Sequence, residues 1–263
     1  MLHFKEGKLT LPGIEMNYIR FGTGAQPLVI IQGLNTNGIK GAGLPMAFMY
    51  RIFSKDFTVY LFDRRENISA DITVKDLAMD TAAAMDALCL KDAAVLGVSQ
   101  GGMLAQYLAI ERPDLVKKMV LAVTLARNNP TVIRAVETWI DMTQRNGIKA
   151  LVAHMASHMY STAYVKRYKP FMPLLTVFQK PKDPQRFIYL ARACLTCDTY
   201  QELEKINCPV LVIGAAQDQI VGSTSSLELA QKLGCQLHMY ESLGHAAYEE
   251  AKDFNQRVYD FLI

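Results

Sequence analysis

The sequence predicts an α/β protein, built as an open, mostly parallel sheet with helices on both faces and a helical lid inserted near the middle. Three observations carry this reading. Short apolar runs alternate with helix-period segments along most of the 263 residues. The later runs are apolar on both faces, as strands covered by helices on both sides should be. Between Arg127 and Ile206 the alternation stops, leaving helix-like segments rich in methionine and aromatics and broken by Pro170, Pro173, Pro181 and Pro184.

The first two strands are expected around GKLTL and EMNYIRF, as an antiparallel pair, followed by PLVIIQG (Pro27 to Gly33). FTVYLFD (Phe57 to Asp63) comes next, then the helical pattern VKDLAMDTAAAMDALCL. AAVLGVS (Ala93 to Ser99) leads into the helix GMLAQYLAIERP, and KMVLAVT (Lys118 to Thr124) closes the first half. After the interruption, PVLVIGA (Pro209 to Ala215) precedes the helix SSLELAQKLG, whose Gly234 is placed to cap it, and CQLHMYE (Cys235 to Glu241) is the last strand. The domain division is therefore residues 1–126 and 207–263 for the sheet core and 127–206 for the lid. An insertion of that kind is expected over the C-terminal edge of the strands, where open α/β sheets bind ligands.

Composition bounds the function. At 51% apolar and 20% charged, the chain can bury one large core. A net charge of +3 without a long basic run argues against nucleic acid as a partner. No apolar run reaches the roughly 18 residues that span a bilayer, and the opening MLHFKEGK lacks the order of a secretory signal. A cytoplasmic protein without a membrane partner is expected. Five cysteines at irregular spacing, Cys89, Cys194, Cys197, Cys208 and Cys235, suit reduced, mostly buried thiols better than a disulfide framework.

The stretch LGVSQGG, Leu96 to Gly102, carries the chemistry. It sits between an apolar strand and a helix, so Ser99 falls on a sharp turn that lifts its Oγ above the sheet. Gly97, Gly101 and Gly102 supply the small neighbours that such a turn demands. A serine hydroxyl needs a general base at neutral pH, and the base needs a partner that fixes its tautomer. In the strand-turn-helix version of this arrangement the chain order is serine, acid, histidine. Asp218 follows the strand PVLVIGA and His245 follows CQLHMYE, both at the same edge of the sheet as Ser99. The other histidines fit worse: His3 is terminal, His238 lies within a strand, and His154 and His158 fall in the lid.

These segments resemble the α/β-hydrolase superfamily, in the branch with a helical lid. The resemblance runs from about Ile14 to Leu262 through IIQG, FDRR, GVSQGG, IGAAQD and LGHAAYEE, in family order. It implies Ser99 as nucleophile, His245 as base and Asp218 as orienting acid, with the backbone N–H groups of Gln100 and Leu34 as the oxyanion hole. Two departures stand out. Many relatives carry His-Gly where this chain has Gln32-Gly33, and a glycine-rich loop where it has FDRRENIS, Phe62 to Ser69.

Trp139, Met142, Met155, Met159, Tyr160, Phe171, Met172 and Phe178 offer an adaptable apolar lining in the lid. The expected substrate pocket comprises Asn35, Trp139, Met155, Met159, Phe171 and Met172. The lid segment holds 12 Lys and Arg against 6 Asp and Glu, a basic surface able to steer an anionic substrate or simply to be solvated. HMASH lacks the Glu of a metalloprotease helix and CLTC has no second pair at zinc-finger spacing, so no metal is expected. No phosphate-binding glycine motif is present, and no cofactor is expected. The leading reading is a serine hydrolase acting on an ester, thioester or lactone of a small, largely apolar acyl substrate. A carbon–carbon bond hydrolase of diketone-like acids or a perhydrolase with the same three residues is the alternative, and a non-catalytic ligand-binding protein of the same fold is the more distant one.

Overall fold

The computed structural model describes residues 3–168 and 181–263. Eight strands, β1 (Phe4–Leu11), β2 (Ile14–Phe21), β3 (Gln26–Ile31), β4 (Phe57–Phe62), β5 (Ala93–Val98), β6 (Val116–Ala122), β7 (Val210–Ala215) and β8 (Gln236–Tyr240), form one sheet in the order β1-β2-β4-β3-β5-β6-β7-β8. β1 pairs antiparallel with β2, and β2 antiparallel with β4; all other pairings are parallel. Each predicted strand is present. β1 begins earlier than its apolar pattern suggests, at Phe4, because this edge strand is ordered by pairing from Phe4↔Phe21 to Leu11↔Ile14 and buries almost nothing.

The central strands show why continuous apolar runs are needed. Every residue of β5 and β7 is buried. Leu28 and Ile30 of β3 pack into the core on one face, Val29 and Ile31 into the core on the other. Each such side chain contributes about 1.5–3 kcal/mol through burial.

Helices on the two faces are α1 (Gly43–Met49), α2 (Val74–Ala87), α3 (Gln100–Glu111), α8 (Ser225–Leu233), α9 (Ala247–Glu250) and α10 (Phe254–Leu262). α4 (Pro130–Gln144), α5 (Ile148–Met159), α6 (Thr162–Tyr168) and α7 (Pro184–Cys194) come from the segment between β6 and β7. Local chemistry sets the boundaries of the longer ones. Thr73 and Asp76 form a reciprocal capping box at the start of α2, Asn129 caps α4 ahead of Pro130, and Gly234 ends α8 at φ 61°. α1 was not foreseen; it is only seven residues long and no side chain caps its start. The base of the inserted segment is closed by the bridge Arg127↔Asp198 and by Thr199 N–H donating to the Ala126 carbonyl at 2.7 Å. Among the described residues, no helix is long and apolar enough to cross a membrane.

α3 is the central helix, with ten of its residues from Gln100 to Ala109 buried. Its approach to β3 depends on Gly101, where a Cβ would stand 1.9 Å from the Ile31 carbonyl oxygen and 2.6 Å from that of Gln32. Both obstacles are backbone, so neither can swing aside. Gly101→Ala should therefore lower unfolding stability by about 3 kcal/mol or more, measured by chemical denaturation. A loss below about 1 kcal/mol would show that the helix can retreat from the strand at little cost.

Candidate active site

The chain leaves β5 directly into Ser99, which adopts φ 53°, ψ −120°. A side chain in this region carries strain of about 1–3 kcal/mol, tolerated only where surrounding contacts over-determine the turn. They do so here: Ser99 N–H donates to the Ala122 carbonyl at 2.9 Å, and Thr124 Oγ1 donates to the Ser99 carbonyl at 2.7 Å. The next residue opens α3. Space for the serine is left by Gly33, whose added Cβ would lie 3.2 Å from Ser99 Cβ.

Asp218 follows β7 and His245 follows β8. Asp218 Oδ1 accepts hydrogen bonds from the backbone N–H groups of Ile220 (2.8 Å) and Val221 (3.0 Å), which fixes the plane of the carboxylate. Its Oδ2 is 2.8 Å from His245 Nδ1, and His245 Nε2 is 2.9 Å from Ser99 Oγ. The sequence-predicted serine, histidine and aspartate therefore form one continuous hydrogen-bonded chain, joining residues 146 and 27 positions apart. With Asp218 and His245 almost fully buried, the carboxylate holds the proton on Nδ1. The Nε2 lone pair then faces the serine hydroxyl, so the arrangement can remove a proton from Oγ as that oxygen attacks an electrophile.

Gln100 and Leu34, the two residues expected to offer backbone donors, both stand near Ser99. Gln100 is the first residue of α3, so its N–H has no intrahelical acceptor and lies at the positive end of the helix. Leu34 follows β3 and, with Gly33, lines the cavity at Ser99. That cavity is small, about 30 Å³, and its apolar wall includes Met103, Trp139, Met155, Met159 and Tyr248. Beyond it lies a larger cavity of about 480 Å³, which shares Leu34, Met155, Met159 and Tyr248 with the first.

Of the expected pocket residues, Trp139, Met155 and Met159 line the cavity at Ser99. Asn35 lines only the larger one, where its Oδ1 is taken up by Gly38 N–H at 2.8 Å. Tyr160 also lines the larger cavity, whereas Met142 packs against the core. Phe171, Met172 and Phe178 lie outside the described residues. Met103, Val132, Val136, Cys194, Ile220 and Tyr248 also line the cavity and were not foreseen. Tyr248 had a signal, lying three residues after His245; the others belong to helices and a loop whose facing cannot be read from spacing alone.

The inserted helices are tied to the histidine loop at three points. Ala246 N–H donates to the Met159 carbonyl at 2.8 Å, Tyr160 Oη donates to Glu249, and Ser161 donates to Glu250 through both N–H (2.8 Å) and Oγ (2.6 Å). His154 and His158 stack at 3.9 Å, and Trp139 Nε1 donates to His154 Nδ1 at 3.3 Å. All five cysteines are free: Cys194 and Cys197 are buried, Cys208 and Cys235 half-buried, and Cys89 exposed. Burial pushes the Cys194 thiol up to about 11, so it is a neutral wall of the cavity.

Known proteins agree with this architecture. The chain is 29% identical over 247 residues to the protein named carbamate hydrolase RutD from Caulobacter sp. (strain K31), covering 90% of each chain. It is 23% identical to 3-oxoadipate enol-lactonase 2 from Acinetobacter baylyi, covering 98% of this chain and 96% of that one. Among solved structures, MGS-M2, an alpha/beta hydrolase enzyme from a Medee basin deep-sea metagenome library, superposes with a TM-score of 0.88 at 21% identity, covering 97% of both chains. Residues 26–252 match the alpha/beta hydrolase fold family, and the chain belongs to that family.

Proposed function

We propose that this protein is a serine hydrolase that cleaves an ester, thioester or lactone bond of a small, largely apolar substrate. The observation that carries the reading is the unbroken chain from Ser99 Oγ through His245 to Asp218. Ser99 attacks the acyl carbon as His245 Nε2 takes its proton, and the same histidine returns that proton to the leaving group. The N–H groups of Gln100 and Leu34 receive the negative charge formed on the carbonyl oxygen. A water activated by His245 then resolves the acyl-enzyme, and Asp218 stabilises the imidazolium in both halves.

Two further features support the substrate class. The apolar wall of the cavity suits an uncharged acyl group. The names of the two relatives refer to an enol-lactone and a carbamate, both of which present an acyl carbon to a nucleophile. We read residues 127–206 as a lid: only about 30 Å³ is free at Ser99, and Met155 and Met159, which separate it from the larger cavity, are side chains that repack readily. The free thiols support a reducing, cytoplasmic setting.

A fluorophosphonate probe should form an adduct at Ser99, located by peptide mass spectrometry. Its labelling rate should fall by about 100-fold or more in His245→Ala, the scale of a lost general base. An adduct at another residue, or unchanged labelling in the histidine variant, would overturn the proposal.

A further inference from the structure

Behind the candidate oxyanion hole lies a buried arginine. Arg64 stands in FDRRENIS, the loop after β4, and its side chain is buried, with the residue only 4% exposed. Its Nη2 donates to the Gln32 carbonyl at 2.6 Å, and its Nε donates to Gln100 Oε1 at 3.3 Å. Both acceptors have a position in common. Gln32 lies two residues before Leu34, at the root of the loop carrying one oxyanion donor, and Gln100 carries the other donor on its own backbone.

The Gln100 side chain continues the linkage outward. Its Nε2 donates to the Leu190 carbonyl at 2.7 Å and to Cys194 Sγ at 3.2 Å, both on α7. The loop holding Arg64 is itself braced from two sides. Asp63 accepts from Ile39 N–H at 3.0 Å and from Arg64 N–H at 2.7 Å, while Arg186 on α7 donates to the carbonyls of Arg64 and Arg65 at 3.1 and 3.2 Å. The guanidinium thus joins the β3 loop to the Gln100 side chain, and that side chain continues to α7.

Stability alone is a poor reason for this arrangement, because a buried charge is expensive to desolvate and an apolar side chain of similar volume often serves as well. Burial does draw the guanidinium down, to about 10, so Arg64 remains charged at neutral pH. A fixed positive charge beside the two donor segments is useful where negative charge develops on a substrate oxygen, since preorganised charge in a dry site needs no rearrangement during reaction.

We propose that Arg64, acting through Gln32 and the Gln100 side chain, is the positioning residue that holds the two halves of the oxyanion hole in register. It does not touch the substrate. The proposal rests on the serine-hydrolase reading, and it also makes α7 part of the oxyanion support. The packing of α7 is thereby linked to the geometry of the hole.

The test compares Arg64→Met and Arg64→Lys with wild type, using a p-nitrophenyl ester as substrate and a trifluoromethyl ketone as a probe that forms a tetrahedral oxyanion on Ser99. Arg64→Met is expected to lower kcat by about 10- to 100-fold with KM changed less than about threefold. It should weaken the trifluoromethyl ketone by the same factor, and Arg64→Lys should recover part of both losses. Because the ketone adduct reports the oxyanion itself, a role for Arg64 confined to fold stability would leave both quantities unchanged in the folded variant. A folded Arg64→Met with wild-type kcat and ketone affinity overturns the proposal. If that variant does not fold, Gln100→Leu decides: it cuts the Gln100 half of the link while keeping the backbone donor, and kcat and ketone affinity should fall together by about three- to tenfold. Unchanged values there also overturn the proposal. Failure of the serine-hydrolase reading is seen separately, as absence of a fluorophosphonate adduct at Ser99 in the wild-type protein.

Discussion

Ser99→Ala should lower kcat for a p-nitrophenyl ester by about 10⁴-fold or more while leaving the protein folded and able to bind a substrate analogue. The size of the loss follows from the site. The hydroxyl is the group that His245 Nε2 contacts at 2.9 Å, and Thr124 Oγ1 is engaged on the Ser99 carbonyl instead of facing the histidine. Folding should survive because the hydroxyl contributes no cap to α3, and the turn is held by backbone bonds that alanine keeps. Ser99→Gly sharpens the test. Glycine adopts φ 53° without the strain of a Cβ, so this variant should be equally inactive yet more stable than wild type by about 1 kcal/mol. Steady-state assay and chemical denaturation would separate the two effects. Activity within tenfold of wild type in Ser99→Ala would remove the serine from the mechanism.

How much of this site was legible beforehand depends on what each residue answers to. Ser99, Asp218 and His245 were readable because each follows a strand, fully buried in β5 and β7 and half-buried in β8, and parallel strands deliver their C-terminal ends to one edge of the sheet. Local order along the chain was enough to predict convergence in space. The sheet itself was legible for the same reason, since β5 and β7 are buried throughout and display that fact in their composition. Edge elements were less readable. β1 owes its first residues to pairing with β2, which leaves no apolar imprint. The pocket wall was the hardest part. Asn35 was expected at the site but turns its side-chain oxygen back to Gly38. Cys194 and Val136 face Ser99 through the packing of α7 and α4, which depends on crossing geometry and not on periodicity. The Arg64 linkage was invisible too, because spacing does not say which of two adjacent arginines turns inward, as Arg64 does, while Arg65 pairs with Asp80.

Asp218→Asn should reduce kcat by about 10³- to 10⁴-fold with little change in stability, and the reason lies in which oxygen does what. Oδ1 accepts from two backbone N–H groups, Ile220 and Val221, while Oδ2 faces His245 Nδ1. An asparagine at this position must present its carbonyl oxygen to the two fixed donors, because turning the amide over would set its NH2 against them. Its NH2 group is then aimed at Nδ1, which must become the acceptor. The proton moves to Nε2, the nitrogen 2.9 Å from Ser99 Oγ, and a nitrogen that already carries a proton cannot take one from the serine. The variant would keep the shape of the site and lose its base. Proton-detected NMR of a ¹⁵N-histidine-labelled protein should show the His245 tautomer switched, alongside the fall in kcat. An unswitched tautomer with kcat within tenfold of wild type would mean that Asp218 only anchors the loop after β7, and that some other group orients His245.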